Sequence, residues 1–165
     1  MASEFSFDVV SKVDMQGVDD AVNTTNKEIA TRYDFKSSKA SIQFDRKTGD
    51  LKVLVEDEMR LKIVIDLMQT RMFKRGVPLK NLDYQKIEDA DGGIKRQAIK
   101  ILQGLAQDKA KEVVAAIKAG GVKVTPSIQS DQVRVTSKSK DDLQAVMAML
   151  KAKDFGVDLQ FANFR

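Results

Sequence analysis

The residues best placed to do chemistry in this chain are cations that alternate with apolar side chains. Arg134, Thr136 and Lys138 are spaced two apart, with Val133 and Val135 in the opposite phase. In an extended strand that spacing puts the three polar residues on the face away from the valines. Arg96 and Lys100 share a phase in another run, opposite Ile99 and Ile101, and Lys52 is opposite Val53 and Val55. Basic groups on a sheet face free of helices suit phosphates and flat bases. Arginine adds a fork that matches a phosphate or the Hoogsteen edge of guanine. A wetted sheet face also carries Lys and Arg for ordinary reasons, so the pattern narrows the ligand chemistry without naming a ligand.

Other chemistry is removed by composition. The 165 residues include no histidine, cysteine or tryptophan. Ser–His and Cys–His nucleophile pairs, imidazole acid–base work, thiolate zinc sites and disulfides are therefore excluded. Carboxylates remain, as Glu56–Asp57–Glu58, Asp89 with Asp91, and Asp141–Asp142. Polymerase- and cyclase-like enzymes hold Mg²⁺ with such groups. Here the turn Asp45–Asp50 lacks a Gly-Gly-Asp-Glu-type signature, and Asp57 and Asp142 fall at helix starts, where the helix dipole favours negative charge. Gly92–Gly93 and Gly120–Gly121 are isolated pairs that match no Walker or dinucleotide fingerprint. The expectation is a binding protein and not an enzyme, with no metal and no cofactor.

The elements that must position the cations repeat. Val53/Val135, Leu61/Leu143 and Val64/Val146 are identical pairs, each 82 positions apart. Around them a strand leads to a capping residue (Asp57, Ser139) and an apolar helix face: Leu61, Val64, Ile65 and Met68, then Leu143, Val146, Met147 and Leu150. A unit of this length is too long for a solenoid repeat and points to two similar small domains. The first half reads as strand Phe7–Lys12, a helix capped by Asp14, the hairpin Ser41–Phe44 and Leu51–Val55, a helix from about Glu58, and a strand near Asp83–Glu88. The second reads as strand Ile94–Gln103, helix Gln107–Ala119, the hairpin Val122–Gln129 and Gln132–Ser137, helix Ser139–Lys151, and strand Val157–Phe164. Each half is β-α-β-β-α-β, so the fold class is α+β with two ferredoxin-like domains, 1–90 and 91–165. Antiparallel sheets with helices on one face follow from that order.

A net charge of +4, spread along the chain, favours anionic partners but does not separate small nucleotides from RNA. Phe5, Phe7, Tyr33, Phe35, Phe161 and Phe164 lie near strand ends and read mostly as core. The central strands carry no aromatic residue, which argues against sheet-face stacking of the RNA-recognition type. No apolar run approaches the length of a membrane-spanning helix and no signal-peptide core follows Met1, so the expected location is the cytoplasm, away from membranes. Ala2–Ser3–Glu4–Phe5, ahead of Ser6, has the look of a cloning scar and carries no weight.

Four segments resemble a known family. Ser6–Phe7–Asp8–Val9–Val10–Ser11–Lys12–Val13–Asp14 is similar to the amino-terminal signature of the YajQ family of small bacterial proteins, and Thr31–Arg32–Tyr33–Asp34–Phe35–Lys36 matches its Thr-Arg-(Phe/Tyr)-Asp-Phe-(Arg/Lys) segment. The run from Gln132 to Val146 resembles its most distinctive stretch, and Gln160–Arg165 its carboxyl terminus. The resemblance implies two ferredoxin-like domains that exchange their first strands, with boundaries 13–103 and 1–12 plus 104–165. It also implies a non-enzymatic nucleotide-binding protein. Some members bind a cyclic dinucleotide, some are linked to transfer RNA or purine nucleotides, and some relay the signal to a transcription factor.

The functional expectation is thus a cyclic di-GMP receptor that signals to a protein partner, with a transfer-RNA adaptor as the alternative. A purine nucleotide or cyclic dinucleotide is the expected ligand. Arg134 is the first candidate contact, followed by Arg32, Arg96, Lys100 and Lys138, with Lys36 from the second matching segment. Phe35 or Tyr33 is the candidate for stacking on a base.

Overall fold

The computed structural model describes residues 4–165. Ala2 and Ser3 of the Ala2–Phe5 segment lie outside the described residues, and Phe5 opens the first strand. In chain order the elements are β1 (Phe5–Val10), α1 (Met15–Thr31), β2 (Ser41–Asp45), β3 (Asp50–Val55), α2 (Glu58–Lys74), β4 (Leu82–Asp89), β5 (Lys95–Ile101), α3 (Gln107–Ala119), β6 (Thr125–Gln129), β7 (Gln132–Ser137), α4 (Lys140–Lys151) and β8 (Gln160–Ala162). They build two antiparallel four-stranded sheets, in the orders β2-β3-β5-β4 and β6-β7-β1-β8. Each has the strand order of a ferredoxin-like domain, but its first strand comes from the other half of the chain. β5 lies between β3 and β4, and β1 lies between β7 and β8. The compact units are Val13–Leu102, and Gln103–Arg165 with the N-terminal segment through Lys12. No helix among the described residues is long and apolar enough to cross a membrane.

In the unit Val13–Leu102, both helices start on a capping aspartate. Asp14 accepts a hydrogen bond from the Gln16 N–H at 3.1 Å, and Asp57 from the Arg60 N–H at 2.8 Å. Leucine, valine and methionine at helical spacing (Leu61, Val64, Met68, Met72) then face the sheet, where Leu51, Val53, Val55 and Ile99 are buried with them. Each such buried side chain contributes about 1.5–3 kcal/mol. The buried Asn81 closes the end of the sheet, its side-chain Nδ2 donating to the Leu102 carbonyl at 2.9 Å and its backbone carbonyl accepting the Leu102 N–H at 2.8 Å.

In the other unit, α3 packs on β6 and β7, and α4 on β7 and β1. Ala110, Val113, Ile117, Leu143, Val146 and Leu150 cover Phe7, Val9, Val133 and Val135. Ser139 caps α4, its hydroxyl accepting the Asp142 N–H at 3.3 Å.

Two strands are shorter than periodicity predicts. β6 begins at Thr125 and not at Val122, because Val124 donates to the Val122 carbonyl at 2.9 Å and bends the chain there. β8 is three residues, Gln160–Ala162, where alternation predicts Val157–Phe164. Asp154 accepts the Gly156 N–H at 2.9 Å in an Asx turn, and Asn163 adopts a left-handed φ of 56°. The Asx turn ends ahead of the expected run and Asn163 breaks it near its end, although Arg165 and Ser6 exchange backbone hydrogen bonds at 3.0 and 3.2 Å beyond the break. β1 covers Phe5–Val10 where Phe7–Lys12 is expected, and β5 is Lys95–Ile101.

Candidate functional site

Strand β7 sets the geometry. Val133 and Val135 are buried under the helices, which turns Arg134 and Thr136 to the open face. Across the ladder Arg134 is opposite Asp8 on β1 and Ser127 on β6, and Thr136 is opposite Ser6 and Thr125. The open face of this sheet is therefore rich in hydroxyls, with one guanidinium among them.

That guanidinium is held. Arg134 Nε donates to Asp8 Oδ1 at 3.0 Å, and Asn163 Nδ2 donates to Asp8 Oδ2 at 2.8 Å. Asp8 is only 1% exposed. Burial, the largest single influence, pushes its carboxyl up. The hydrogen bonds from Arg134 and Asn163, with the charges of Arg134 and Arg165, outweigh it and hold the carboxyl below the usual carboxylate range. Asp8 is thus an anion at neutral pH, fixed by two donors. Arg134 keeps 27% of its side chain exposed, and its hydrogen bond to Asp8 uses only Nε. A guanidinium oriented by a buried carboxylate presents its remaining N–H groups in a fixed direction, which lowers the ordering cost of binding an anion.

Lys138 lies one residue beyond β7, in a bend closed by the Ser139 N–H donating to Ser137 Oγ at 3.1 Å. It lines a cleft of about 450 Å³ with Lys123, Thr125, Thr136 and Ser139, and with Glu4 and Asp142 on its acidic side. Thr136 and Lys138 share this cleft, and Arg134 is two residues before Thr136 on the open face of the same strand.

The other nominated residues lie on the Val13–Leu102 unit in two separate places. Arg96 and Lys100 are on the open face of its sheet, with Lys52 beside them opposite Ala98. Arg96 is engaged with Glu88 at 3.0 Å, and Lys100 is opposite Asp50 on β3 and Asp83 on β4. Arg32, Phe35 and Lys36 lie between α1 and β2. Arg32 makes a bidentate pair with Asp34, Nε and Nη2 each at 2.9 Å. The hydrogen bond from Arg32 is the largest influence on the Asp34 carboxyl and lowers its pKa.

Phe35 is 3% exposed and belongs to the core of its unit, with the Arg32 guanidinium 5.9 Å from its ring centre. A base has no access to that ring, so the stacking role nominated for Phe35 does not fit its place. Its neighbour Tyr33 is 90% exposed. Of the carboxylates weighed for Mg²⁺, Asp57 is spent on its cap and on Arg60, Glu56 accepts from the Ser38 hydroxyl and the Lys39 N–H, and Asp89 pairs with Lys95.

Sequence reasoning missed Asp8 and Asn163, the two side chains that make Arg134 more than a surface cation. A signal existed for Asp8, a charged residue inside the apolar run Phe7–Val10. None existed for Asn163, which reaches Asp8 through a left-handed backbone turn across the sheet.

A family model described as "Nucleotide-binding protein YajQ-like" matches residues 5–165. A protein of Geotalea uraniireducens named "Nucleotide-binding protein" is 55% identical over 160 residues, covering 97% of this chain and 98% of that protein. One of Elusimicrobium minutum with the same name is 50% identical over 163 residues, 99% of each chain. A third, from Desulfitobacterium hafniense, is 48% identical over 167 residues, the whole of both. With that match running almost from end to end, and with the exchanged-strand fold beneath it, this chain belongs to the YajQ family.

Proposed function

We propose that the protein is a non-enzymatic nucleotide-binding protein whose ligand is a guanine-based cyclic dinucleotide, and that it relays occupancy to a protein partner. The observation that carries this reading is the Arg134 guanidinium, oriented by the buried Asp8 carboxylate on a hydroxyl-rich open face. One phosphate or guanine Hoogsteen edge meets Arg134. The second phosphate meets Lys138 and Lys123, and Thr125 and Thr136 supply hydroxyl hydrogen bonds between them. The relatives' shared name, "Nucleotide-binding protein", supports the ligand class.

A transfer-RNA adaptor is the second reading. It is favoured by the exposed cations at other places, Lys52, Arg96 and Lys100 on one sheet face and Lys36 beside the exposed Tyr33.

Calorimetric titration of cyclic di-GMP, GTP, ATP and bulk transfer RNA at two salt concentrations separates the two readings. A dinucleotide with two phosphates gives a shallow salt dependence, whereas an RNA contacting several phosphates gives a log–log slope of roughly −0.7 to −0.9 per contact. Saturable cyclic di-GMP binding, lost in Arg134→Gln, is the expected result. Salt-steep transfer-RNA binding with no small-nucleotide heat would replace the receptor reading with the adaptor.

A further inference from the structure

The helix side of the Gln103–Arg165 unit carries a groove whose chemistry differs from that of the open face. α4 packs over β7 and β1, while β8 is the end strand of the sheet. Between α4 and the chain after β8 runs a groove of about 350 Å³, floored by Phe5, Leu143, Met147 and Phe164 and rimmed by Lys140 and Arg165. Among the described residues no Asp or Glu side chain lines it. Phe164 is 62% exposed yet held in place, since its ring stacks on Phe7 at 6.2 Å between centres and Arg165 is tied to Ser6 through both backbone groups. An exposed large apolar side chain fixed in this way is a binding feature more than a loose end.

The cations are arranged along a line. Lys140, Gln144, Met147 and Lys151 recur at helical spacing on one side of α4. Lys140 Nζ lies 4.8 Å from the Phe5 ring centre, and Lys151 Nζ lies 5.6 Å from that of Phe161. At 1.5 Å rise per residue the two lysines are about 16 Å apart along the helix.

We propose that this groove binds an extended peptide segment of another protein, with one or two apolar side chains flanked by Asp or Glu. Three observations select that occupant. The floor is apolar, and among the described residues Ser6 and Gln144 are the uncharged polar side chains lining the groove, so a purine edge buried there would lose most of its hydrogen bonds to water without replacement. Lys151 lies beyond the groove, about 16 Å along α4 from Lys140, and roughly five residues of extended chain leaving the groove along the helix span that distance. The cationic rim with no opposing carboxylate is complementary to an acidic partner. β8, with no further strand paired to it among the described residues, offers backbone groups along the same edge. Phe5, which lines the groove, is in phase with the buried Phe7 and Val9 on β1, whereas Arg134 is opposite Asp8 in the other phase, so groove floor and nucleotide candidate lie on opposite faces of one sheet. The proposal stands without the nucleotide reading.

The test titrates the full chain with two fluorescein-labelled heptapeptides, Asp-Glu-Leu-Glu-Phe-Glu-Asp and its basic counterpart Lys-Lys-Leu-Lys-Phe-Lys-Lys. Fluorescence polarisation gives the affinities, and amide chemical shifts give the location. The acidic peptide is expected to bind saturably and about tenfold or more tighter than the basic one. Its shifts should cluster on residues 140–151 and 160–165. Met147→Glu and Lys140→Glu, each checked for an unchanged thermal transition, should weaken it by about tenfold. Equal affinity for both peptides, no saturation, or shifts centred elsewhere would overturn the proposal. So would finding, in place of peptide binding, a Met147-dependent dimer by sedimentation or Met147-dependent binding to phosphatidylglycerol vesicles. Those outcomes assign the groove to a second copy of the chain or to a lipid surface.

Discussion

Asp8 and Arg134 are 126 residues apart in sequence and face each other across β1 and β7, Oδ1 to Nε at 3.0 Å. The contact exists because β1 leaves its own half of the chain and inserts beside β7. It places a carboxylate with almost no solvent exposure beside the Arg134 guanidinium.

Removing the arginine alone leaves a buried anion with one remaining side-chain donor, Asn163. Arg134→Ala should therefore destabilise the chain by about 2–3 kcal/mol, less than a fully enclosed pair because water can enter where the side chain stood. Asp8→Asn/Arg134→Ala should recover part of that loss. Urea unfolding of the two single variants and the double variant closes the cycle. Strict additivity would show that the pair is not coupled.

The acid limb of stability carries the same signature. The folded Asp8 carboxyl titrates below its unfolded value of about 3.9, so its contribution is complete above that pH. It is lost as pH falls from about 3.9 through the lower folded value. Asp34 and Asp57 are lowered too, so the wild type alone does not isolate Asp8. The difference in unfolding free energy between wild type and Asp8→Asn should shrink below about pH 4. A pH-independent difference would contradict the lowered Asp8 value.

Tyr33 and Phe35 separate binding from folding within one short segment. Phe35→Ala empties a core position and should cost about 3–5 kcal/mol in chemical denaturation. Tyr33→Ala, at an exposed ring, should leave the transition within about 0.5 kcal/mol of wild type. If Tyr33 stacks on a base, its loss weakens nucleotide or RNA binding by about 1–3 kcal/mol. Unchanged binding in Tyr33→Ala would remove that segment from the ligand surface.

Strand exchange decides which fragments fold. Residues 13–102 contain every strand of the sheet β2-β3-β5-β4 and should unfold cooperatively on their own. Residues 1–90 lack β5, which leaves β3 without its inner neighbour and strands Phe7 and Val9 away from β7. That fragment should aggregate or show no cooperative transition by circular dichroism. Equal behaviour of the two fragments would contradict the importance of the exchange.

Much of this protein is written locally. Alternation alone placed Arg134 opposite Val133 and Val135, and Arg96 and Lys100 opposite Ile99 and Ile101, because a strand has a period of two whatever it pairs with. Asp14, Asp57 and Ser139 were legible as caps, since a cap needs only residues two or three positions away. The repeated element order was enough to define two ferredoxin-like sheets. Local pattern does not identify the neighbour across a sheet, however. Periodicity could not attach β1 to β7, so the Asp8–Arg134–Asn163 arrangement became visible only with the tertiary fold. Phe35 and Tyr33 are two residues apart and both aromatic, yet only packing against α1 and β2 decides which ring is buried. The end of β8 is decided by a left-handed asparagine, Asn163, which interrupts a run that hydrophobicity alone would continue. Side-chain periodicity is a property of the chain, whereas burial and charge pairing belong to whatever the chain folds against.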